Sequence, residues 1–320
     1  MKCPNPACDY TPEPTDWCCE SCGTVLHPAE NAQVITASSP VATLACACTD
    51  FDADGYCEAC GKKREIRPDP VLVEVNPQLA SVSDIGMKHH VNQDAALASR
   101  LPNGDYLLVI SDGVSTAENS EVASALVTST ILEQMSRAVN GNPGEALKAA
   151  VVAADNAVRA MPYSHPAGLA EPQATVVAAV VRGQNVWISW VGDSRAYELG
   201  TRNQQLTVDD SWYEMAVAQG MPKEQAQADR RAHAITQCLG MRDELPEVHL
   251  MPATLAEGAT LLLCTDGLWN YFEEAPALSG LMTHGEKADT ALTIARRMVD
   301  AANKAGGRDN ISVSLLKVAA

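Results

Sequence analysis

Long apolar runs are missing from this 320-residue chain, and none approaches the roughly 18 to 20 residues that a membrane-spanning helix needs. The opening residues, MKCPNPACDY, also contain no apolar segment of the signal-peptide type. We therefore expect a soluble protein of the cytoplasm that does not act in a membrane.

Basic residues are scarce as well. The chain has 23 Lys and Arg against 40 Asp and Glu, which gives a formal net charge of −17 at pH 7. The deficit holds on both sides of Arg67, with 5 basic against 10 acidic residues up to that point and 18 against 30 after it. Because neither part is positively charged, we do not expect electrostatic binding to nucleic acid or to an anionic membrane.

Cysteine is nearly absent from the larger part of the chain, since nine of the eleven cysteines precede residue 61. Those nine form two clusters, each ending in Cys-Glu-x-Cys-Gly, which is the layout of a zinc ribbon. A disulfide framework is the alternative, and the lack of a signal peptide disfavours it. We predict two structural Zn²⁺ ions, with Cys18 left unassigned, on these ligands: Cys3, Cys8, Cys19, Cys22, Cys46, Cys48, Cys57 and Cys60.

These patterns divide the chain into four parts. Residues 1–27 and 44–66 are predicted to be the two zinc ribbons, and residues 28–43 between them read as a linker because they are small and polar without a clear period. Pro68 and Pro70 mark the junction to a larger domain over residues 71–320. We expect the ribbons to bind a protein partner.

The larger domain alternates strand-like and helix-like segments. Amphipathic periodicity predicts helices over Glu118–Val139, Glu145–Met161 and Ala288–Asn303. Two apolar runs separated by Arg-Gly-Gln-Asn indicate a β-hairpin, and ISVSLLKV is strand-like. Together these features favour an α+β fold of antiparallel sheets with helices packed outside.

Two apolar runs end in an Asp-Gly pair: YLLVISDG at residues 106–113 and TLLLCTDG at residues 260–267. We read both runs as buried strands that place Asp112 and Asp266 at the mouth of the core, where the glycines let the chain turn. Asp94 and Asp309 also lie at loop–strand junctions. Each aspartate alone has a simpler reading as a turn residue, but four together suggest an oxygen-lined site for hard divalent cations.

The order and flanks of these aspartates resemble the metal-dependent protein phosphatases, the PPM or type 2C Ser/Thr phosphatases. The resemblance covers residues 81–318 and is carried by six motifs in family order. They are SDIGMKHHVNQDA, ISDGVS, VGDSRAYEL, ITQCLG, LLLCTDGLW and GGRDNISV.

The resemblance implies an αββα sandwich with a two-metal centre, Mn²⁺ or Mg²⁺, between its sheets. In that arrangement Asp112 bridges the two ions and the Gly113 carbonyl binds one of them, while Asp266 and Asp309 complete the shell of the other. Asp94 orients water beside them. The implied reaction is hydrolysis of phosphoserine or phosphothreonine by direct attack of a hydroxide that bridges the metals.

Two residues depart from the family pattern close to the expected metals. Gln93 stands where relatives carry glutamate, so we expect an oxygen ligand without its charge. His89 stands where relatives commonly carry a phosphate-binding arginine, and we expect it to contact substrate phosphate without arginine's charged fork. His90 reads as a loop residue.

Further departures concern residues farther along the chain. Glu171 is the one candidate for an acidic ligand of a third metal, and we expect Asp193 to brace its strand rather than bind metal. A flap-like stretch over residues 207–239 begins TVDDSW, where relatives often have Asp-His-Ser. Cys238 and Cys264 are expected to be buried packing residues.

The sequence therefore favours a Ser/Thr phosphatase that acts on phosphorylated proteins. A catalytically weak pseudophosphatase that binds phosphoproteins is the alternative, motivated by Gln93 and His89. A nucleic-acid binder led by the ribbons is a third reading, and the acidic charge argues against it.

Overall fold

The fold, taken from a computed structural model, is described for residues 33–34, 70–138, 140–282 and 289–318. Its strands form two sheets in which every neighbouring pair is antiparallel. The seven-stranded sheet has the order β1 (Gln33–Val34), β2 (Val71–Asn76), β3 (Leu79–Asp84), β12 (Ile311–Lys317), β11 (Thr260–Cys264), β8 (Arg195–Leu199), β9 (Gln204–Gln205). The five-stranded sheet has the order β10 (His249–Thr254), β7 (Asn185–Val191), β6 (Val176–Arg182), β5 (Tyr106–Asp112), β4 (Asp94–Arg100).

Helices cover the outer face of each sheet. Helices α1 (Ser120–Arg137) and α2 (Pro143–Arg159) pack on the five-stranded sheet. Helices α5 (Asp266–Trp269), α6 (Ala275–Gly280) and α7 (Ala291–Ala305) pack on the seven-stranded sheet. Two short helices, α3 (Trp212–Ala218) and α4 (Lys223–Gln227), lie between β9 and β10 in the chain. The predicted αββα sandwich is confirmed.

The unbroken apolar runs follow from this layering, because the central strands β5, β6 and β11 are buried on both faces. In β5, Leu107 and Val109 face the helices, whereas Leu108 and Ile110 join the core between the sheets. In β11, Leu262 faces the helices and Leu261 and Leu263 face the other sheet. Cys238 and Cys264 are buried free thiols, as predicted.

The predicted helices are present and begin where local chemistry supports them. The Asn142 side chain accepts hydrogen bonds from the backbone N–H groups of Gly144 and Glu145 at the start of α2, where Pro143 occupies the first helical turn. Thr290 caps α7 in the same way. The Arg-Gly-Gln-Asn hairpin is also confirmed, with Gly183 at φ +62° in the turn.

Two elements differ from the expectation. β11 ends at Cys264, so Asp266 and Gly267 do not end a strand but open the short helix α5. In the predicted linker, Gln33 and Val34 form a short strand that pairs with Glu74 and Val73 of β2. Four residues are too few to show a helical period, and two are too few to show a strand period, so neither element could be predicted from periodicity.

The two ribbons predicted at residues 1–27 and 44–66 lie outside the described residues together with all eight of their proposed cysteine ligands, and they stay predictions. Within the described ranges, no helix is long and apolar enough to cross a membrane.

Candidate metal centre

The first two aspartates face each other across neighbouring strands. Asp94 begins β4 and Asp112 ends β5, and the antiparallel register places them directly opposite one another. The Asp94 carboxylate accepts a hydrogen bond from Thr265 Oγ1 at 2.9 Å. Burial, and then the negative charges of Asp266 and Asp309, raise the pKa of Asp94 to about 7 although hydrogen bonds act to lower it.

The Asp112 carboxyl is buried among four other carboxylates. Burial raises its pKa well above the ordinary value, and the charges of four further carboxylates raise it in the same direction. Those four belong to Asp94, Asp266, Asp193 and Asp309. The Asp112 side chain therefore lies where the negative charges of the site converge.

Asp266 approaches this point from the other sheet, at the start of α5. Burial and then the charge of Asp309 raise its pKa to about 6. One carboxylate oxygen, Oδ2, accepts a hydrogen bond from Asn270 Nδ2 at 3.0 Å. The other, Oδ1, is buried without a hydrogen-bond partner, which is costly unless a ligand completes it.

Asp309 precedes β12 and lies on the more open side of the site, with 46% of its side chain exposed. His89 Nε2 lies 3.4 Å from Asp309 Oδ1, so the predicted phosphate contact is beside a predicted metal ligand. Gly86 lets the two loops meet, because a Cβ there would lie 2.0 Å from the Asp309 carbonyl oxygen and its φ is +76°.

Asn310 fixes the loop that leads into Asp94. Its side-chain oxygen accepts from the backbone N–H of Gln93 at 2.8 Å. Its amide nitrogen donates to the carbonyl groups of Ile85 at 2.8 Å and Val91 at 3.2 Å. The Asn310 side chain therefore holds residues 85–93 against the start of β12. No local sequence pattern predicts this role.

Both glycines of the Asp-Gly pairs are required for close approach rather than for turning. A Cβ on Gly113 would lie 2.4 Å from the Ser120 carbonyl oxygen and 2.6 Å from that of Gln93. A Cβ on Gly267 would lie 1.9 Å from the Asn310 carbonyl oxygen. Neither glycine has a left-handed φ, so the close backbone contacts, and not an unusual backbone conformation, are what require glycine at these positions. The Gly113 carbonyl as a ligand stays a prediction.

Gln93 is tied to the start of α1. Its side-chain Nε2 donates to Ser120 Oγ. Its backbone carbonyl accepts from the Gly113 N–H at 3.0 Å and from Ser124 Oγ at 2.6 Å. The side chain thus has a protein partner through its nitrogen, and its service as an oxygen ligand stays a prediction.

Asp193 also belongs to the cluster, although we expected its side chain only to brace its strand. Burial and then the charge of Asp266 raise the pKa of its carboxyl to about 8, and its own charge acts on Asp112. Its backbone carbonyl does brace the fold, by accepting from Trp269 Nε1 at 3.0 Å. In the sequence, the feature that could have indicated this is the place of Asp193 between two apolar, strand-like runs. In the structure, that turn lies at the end of the sheet that also carries Asp112. Glu171, in contrast, accepts from the backbone N–H of Arg242 at 3.2 Å.

The residues present fit hard divalent cations. Several buried carboxylates repel one another at one point, a buried Asp266 oxygen has no hydrogen-bond partner, and the residue after Asp112 is a glycine in a close backbone contact. In the described ranges, no group of three or more His, Cys, Asp or Glu side chains is arranged so that it could hold a metal ion by itself. Oxygen sites for Mg²⁺ and Mn²⁺ commonly include carbonyl groups and water beside carboxylates, so an open carboxylate cluster suits them.

Comparison with known proteins agrees with this chemistry. The sequence model of the family described as Protein phosphatase 2C matches residues 87–292. The chain is 29% identical over 241 residues to the serine/threonine protein phosphatase PstP of Mycobacterium tuberculosis, covering 75% of this chain and 44% of that protein. It is 36% identical over 148 residues to the serine/threonine phosphatase stp of Listeria innocua, covering 45% of this chain and 56% of that one.

A solved structure shares the fold. The catalytic domain of serine threonine protein phosphatase PstP, in complex with two manganese ions, matches with a TM-score of 0.60 at 27% identity. That match covers 76% of this chain and 98% of the solved one. The chain spans about half the length of the curated relatives that it matches. From the family match and the shared fold, this chain belongs to the protein phosphatase 2C family.

Proposed function

We propose that the chain is a metal-dependent protein phosphatase that hydrolyses phosphoserine and phosphothreonine in phosphorylated proteins. The observation that carries this proposal is the convergence of buried, mutually repelling carboxylates from both sheets, with one Asp266 oxygen left without a partner. The names of the curated relatives as serine/threonine phosphatases support the same reaction.

The proposed ligand roles follow the position of each side chain. Asp112, where the charges converge, would be shared by two divalent cations, and the adjoining Gly113 carbonyl would bind one of them. Asp266 and Asp309 would hold the other, and Gln93 would add a neutral oxygen. The manganese ions of the PstP catalytic domain support two Mn²⁺ or Mg²⁺ ions here.

When bound, the cations supply charge neutralisation at the phosphate oxygens and make a water molecule more acidic. The protein's own contribution is orientation and proton handling. Asp94, whose pKa is about 7 without metal, would hold that water through a hydrogen bond and accept its proton. His89, beside Asp309, would donate a hydrogen bond to the substrate phosphate.

Activity against an aryl phosphate and a phosphopeptide, measured with Mn²⁺, Mg²⁺ or a chelator, tests the proposal. We expect hydrolysis that requires metal. Asp266→Asn should lower kcat/KM by at least about 100-fold, because losing even the partner of a metal ligand lowers activity about 10- to 100-fold. Asp300→Asn, an exposed site on α7, is the control and should change little. Activity that survived both the chelator and Asp266→Asn would refute the mechanism.

A catalytically weak pseudophosphatase remains the second candidate, and Gln93 and His89 favour it because each lacks the charge of its counterpart in relatives. That reading requires no hydrolysis of any phosphate ester, together with phosphoprotein binding that Asp112→Asn leaves intact. The relatives' names support the active enzyme over this alternative.

The two zinc ribbons and their protein partner also belong to the proposal. Elemental analysis of the purified chain should find two zinc ions per molecule, because each cysteine cluster supplies four thiolates. Absence of zinc from protein purified without chelator would remove the ribbons from the proposal and leave the phosphatase domain untouched.

A further inference from the structure

Residues 207–239, which we call the flap, leave the sheet after β9 and return beside the metal centre. At the return, Leu239 and Ala174 exchange backbone hydrogen bonds of 2.8 and 3.2 Å. Ala174 also pairs with Gly113, the residue that follows Asp112. The position of the flap is therefore linked through one residue to the backbone of the metal centre.

Two neighbouring aspartates attach the start of the flap to both sheets. Asp209 forms a buried ion pair with Arg195 of β8, at 2.7 Å between Arg195 Nη2 and Asp209 Oδ2. Asp210 points to the other sheet, where its Oδ2 accepts from the backbone N–H of Gly192 at 2.8 Å. Gly192 directly precedes Asp193, whose carboxyl belongs to the metal cluster.

Asp210 also attaches the far end of the flap. Its Oδ1 accepts from Gln237 Nε2 at 2.9 Å, and its backbone carbonyl accepts from the Thr236 N–H at 2.8 Å. The same Oδ1 lies 2.9 Å from His249 Nε2 on β10. With 8% of its surface exposed, Asp210 joins both ends of the flap, Gly192 and the edge strand of the five-stranded sheet.

His249 is itself held in place. Its ring stacks on Trp190 of β7, with centroids 4.9 Å apart and an interplanar angle of 25°. Trp190 Nε1 donates a hydrogen bond to the carbonyl of Val208. The stacked Trp190–His249 pair is therefore also bonded to the flap, two residues before Asp210. The Asp210 carboxylate is thus held from the flap side by Gln237 and from β10 by His249.

The part of the flap near residue 230 carries exposed polar groups. Arg230 and Arg231 are exposed, and Arg231 forms an ion pair with Asp229 at 3.0 Å between Arg231 Nε and Asp229 Oδ1. His233, two residues further on, is also exposed. The His233 ring centroid is 6.0 Å from that of Trp269, the last residue of the helix that begins with Asp266. A change in flap position would therefore move these groups relative to the metal centre.

We propose that Asp210, paired with His249, is a positioning residue that fixes the flap over the metal centre for binding of phosphorylated polypeptides. This inference rests on the proposed phosphatase function. The position of the flap should matter only for substrates large enough to reach it. We therefore expect hydrolysis of an aryl phosphate to be insensitive to the loss of the Asp210–His249 contact.

The test compares His249→Phe, which keeps a ring for stacking and loses the hydrogen bond, with His249→Gln, which keeps a donor. In full-length protein with Mn²⁺, His249→Phe should raise KM for a phosphopeptide about fivefold, the size expected from one lost hydrogen bond. Its kcat, and kcat/KM for the aryl phosphate, should stay within about twofold. His249→Gln should restore KM towards the wild-type value.

Asp105→Asn is the matched control, because Asp105 is an equally buried ion-paired aspartate that precedes β5 at the end opposite Asp112. Hydrogen exchange at the Thr236 amide, which donates to Asp210, should accelerate in His249→Phe and not in the control. Equal changes of KM in Asp105→Asn and His249→Phe would overturn the proposal. So would a change of KM in His249→Phe that the phosphopeptide and the aryl phosphate share, or unchanged hydrogen exchange at the Thr236 amide.

If wild-type protein hydrolysed neither substrate, the proposed function would fail on its own. Calorimetric binding of the phosphopeptide would then replace KM. Weaker phosphopeptide binding in His249→Phe, together with faster hydrogen exchange at the Thr236 amide, would still support Asp210 as the residue that positions the flap. Unchanged affinity would refute that role.

Discussion

The aspartates of the metal centre are destabilising groups in the metal-free chain. Burial and mutual repulsion raise the pKa of Asp94 to about 7 and that of Asp266 to about 6. A carboxyl that binds its proton more readily in the folded than in the unfolded state weakens folding as the pH rises from its unfolded to its folded pKa. The stability that such a group contributes is fully present below about pH 4, the ordinary pKa of aspartate, and is lost through the raised value.

Asp266→Asn should therefore stabilise the metal-free protein at pH 7.5 while weakening its response to metal. We expect a gain on the order of 1 kcal/mol in unfolding free energy and a smaller dependence of melting temperature on pH between 4 and 7. Thermal melts with chelator and with Mn²⁺ measure both effects. Asp300→Asn serves as control, and a lower metal-free melting temperature in Asp266→Asn alone would contradict the repulsion argument.

At this scale the sequence singled out four aspartates, because each follows or precedes an apolar run, and the structure brings their carboxylates together. Their roles as metal ligands stay predictions. The sequence did not predict Asp193 in the same cluster or the three hydrogen bonds of Asn310. Asn310 and Gln93 are 217 positions apart, and contacts over that separation depend on how the two sheets face each other. No local pattern carries that information.

Helix α5 depends on how closely its first turn approaches β12. Gly267 is the point of contact, since its absent Cβ leaves room for the Asn310 carbonyl. The same approach sets Asp266 beside Asp309 and places Asn310 to hold Gln93. The glycine of this Asp-Gly pair thus determines the spacing of two elements that each supply a metal-site residue.

Gly267→Ala should lower the unfolding free energy by about 1–3 kcal/mol, as overpacking of a close contact does. It should also weaken Mn²⁺ binding, because α5 must move away from Asn310. Gly280→Ala in α6 is the control: a Cβ there meets nothing within 4 Å and the backbone is helical, so stability should hold or rise slightly. Chemical denaturation and metal titration give both quantities, and equal behaviour of the two variants would disprove the contact.

Element prediction succeeded where a period was long enough to be seen. Helices α2 and α7 and the β6–β7 hairpin follow from amphipathic spacing and turn residues. The strand interpretation of residues 260–267 overran because only Thr265 separates Cys264, the last residue of β11, from the start of α5 at Asp266. Burial on both faces removes the alternation that would have marked where the strand ends.

Across the described part of the molecule, the three buried apolar clusters draw only on residues from Leu72 onwards. The two outer clusters lie between a sheet and its helices, and the third lies between the sheets. Hydrophobic burial is the main favourable term in folding, so we expect the residues after 70 to hold what this domain needs to fold. The domain boundary at Pro68 and Pro70 stays a prediction.

A chain that begins at residue 70 should fold and keep the aryl phosphatase activity of the full-length protein. We expect its melting temperature within about 5 °C of the full chain, since the paired strand β1 contributes on the order of 1 kcal/mol. Extending the deletion through Asn76 removes β2 with its buried Leu72 and should lower the melting temperature much further. If both deletions melted alike, the core assignment would be wrong.

The pairing of Val34 with Val73 has a topological consequence. In the sequence, the first cysteine cluster precedes this strand pair and the second cluster falls between its two strands. Bringing Val34 and Val73 together costs chain entropy that grows slowly with the number of residues between them. Shortening the sequence between them should therefore favour the strand pair, whereas changes before residue 33 should leave this entropy unchanged.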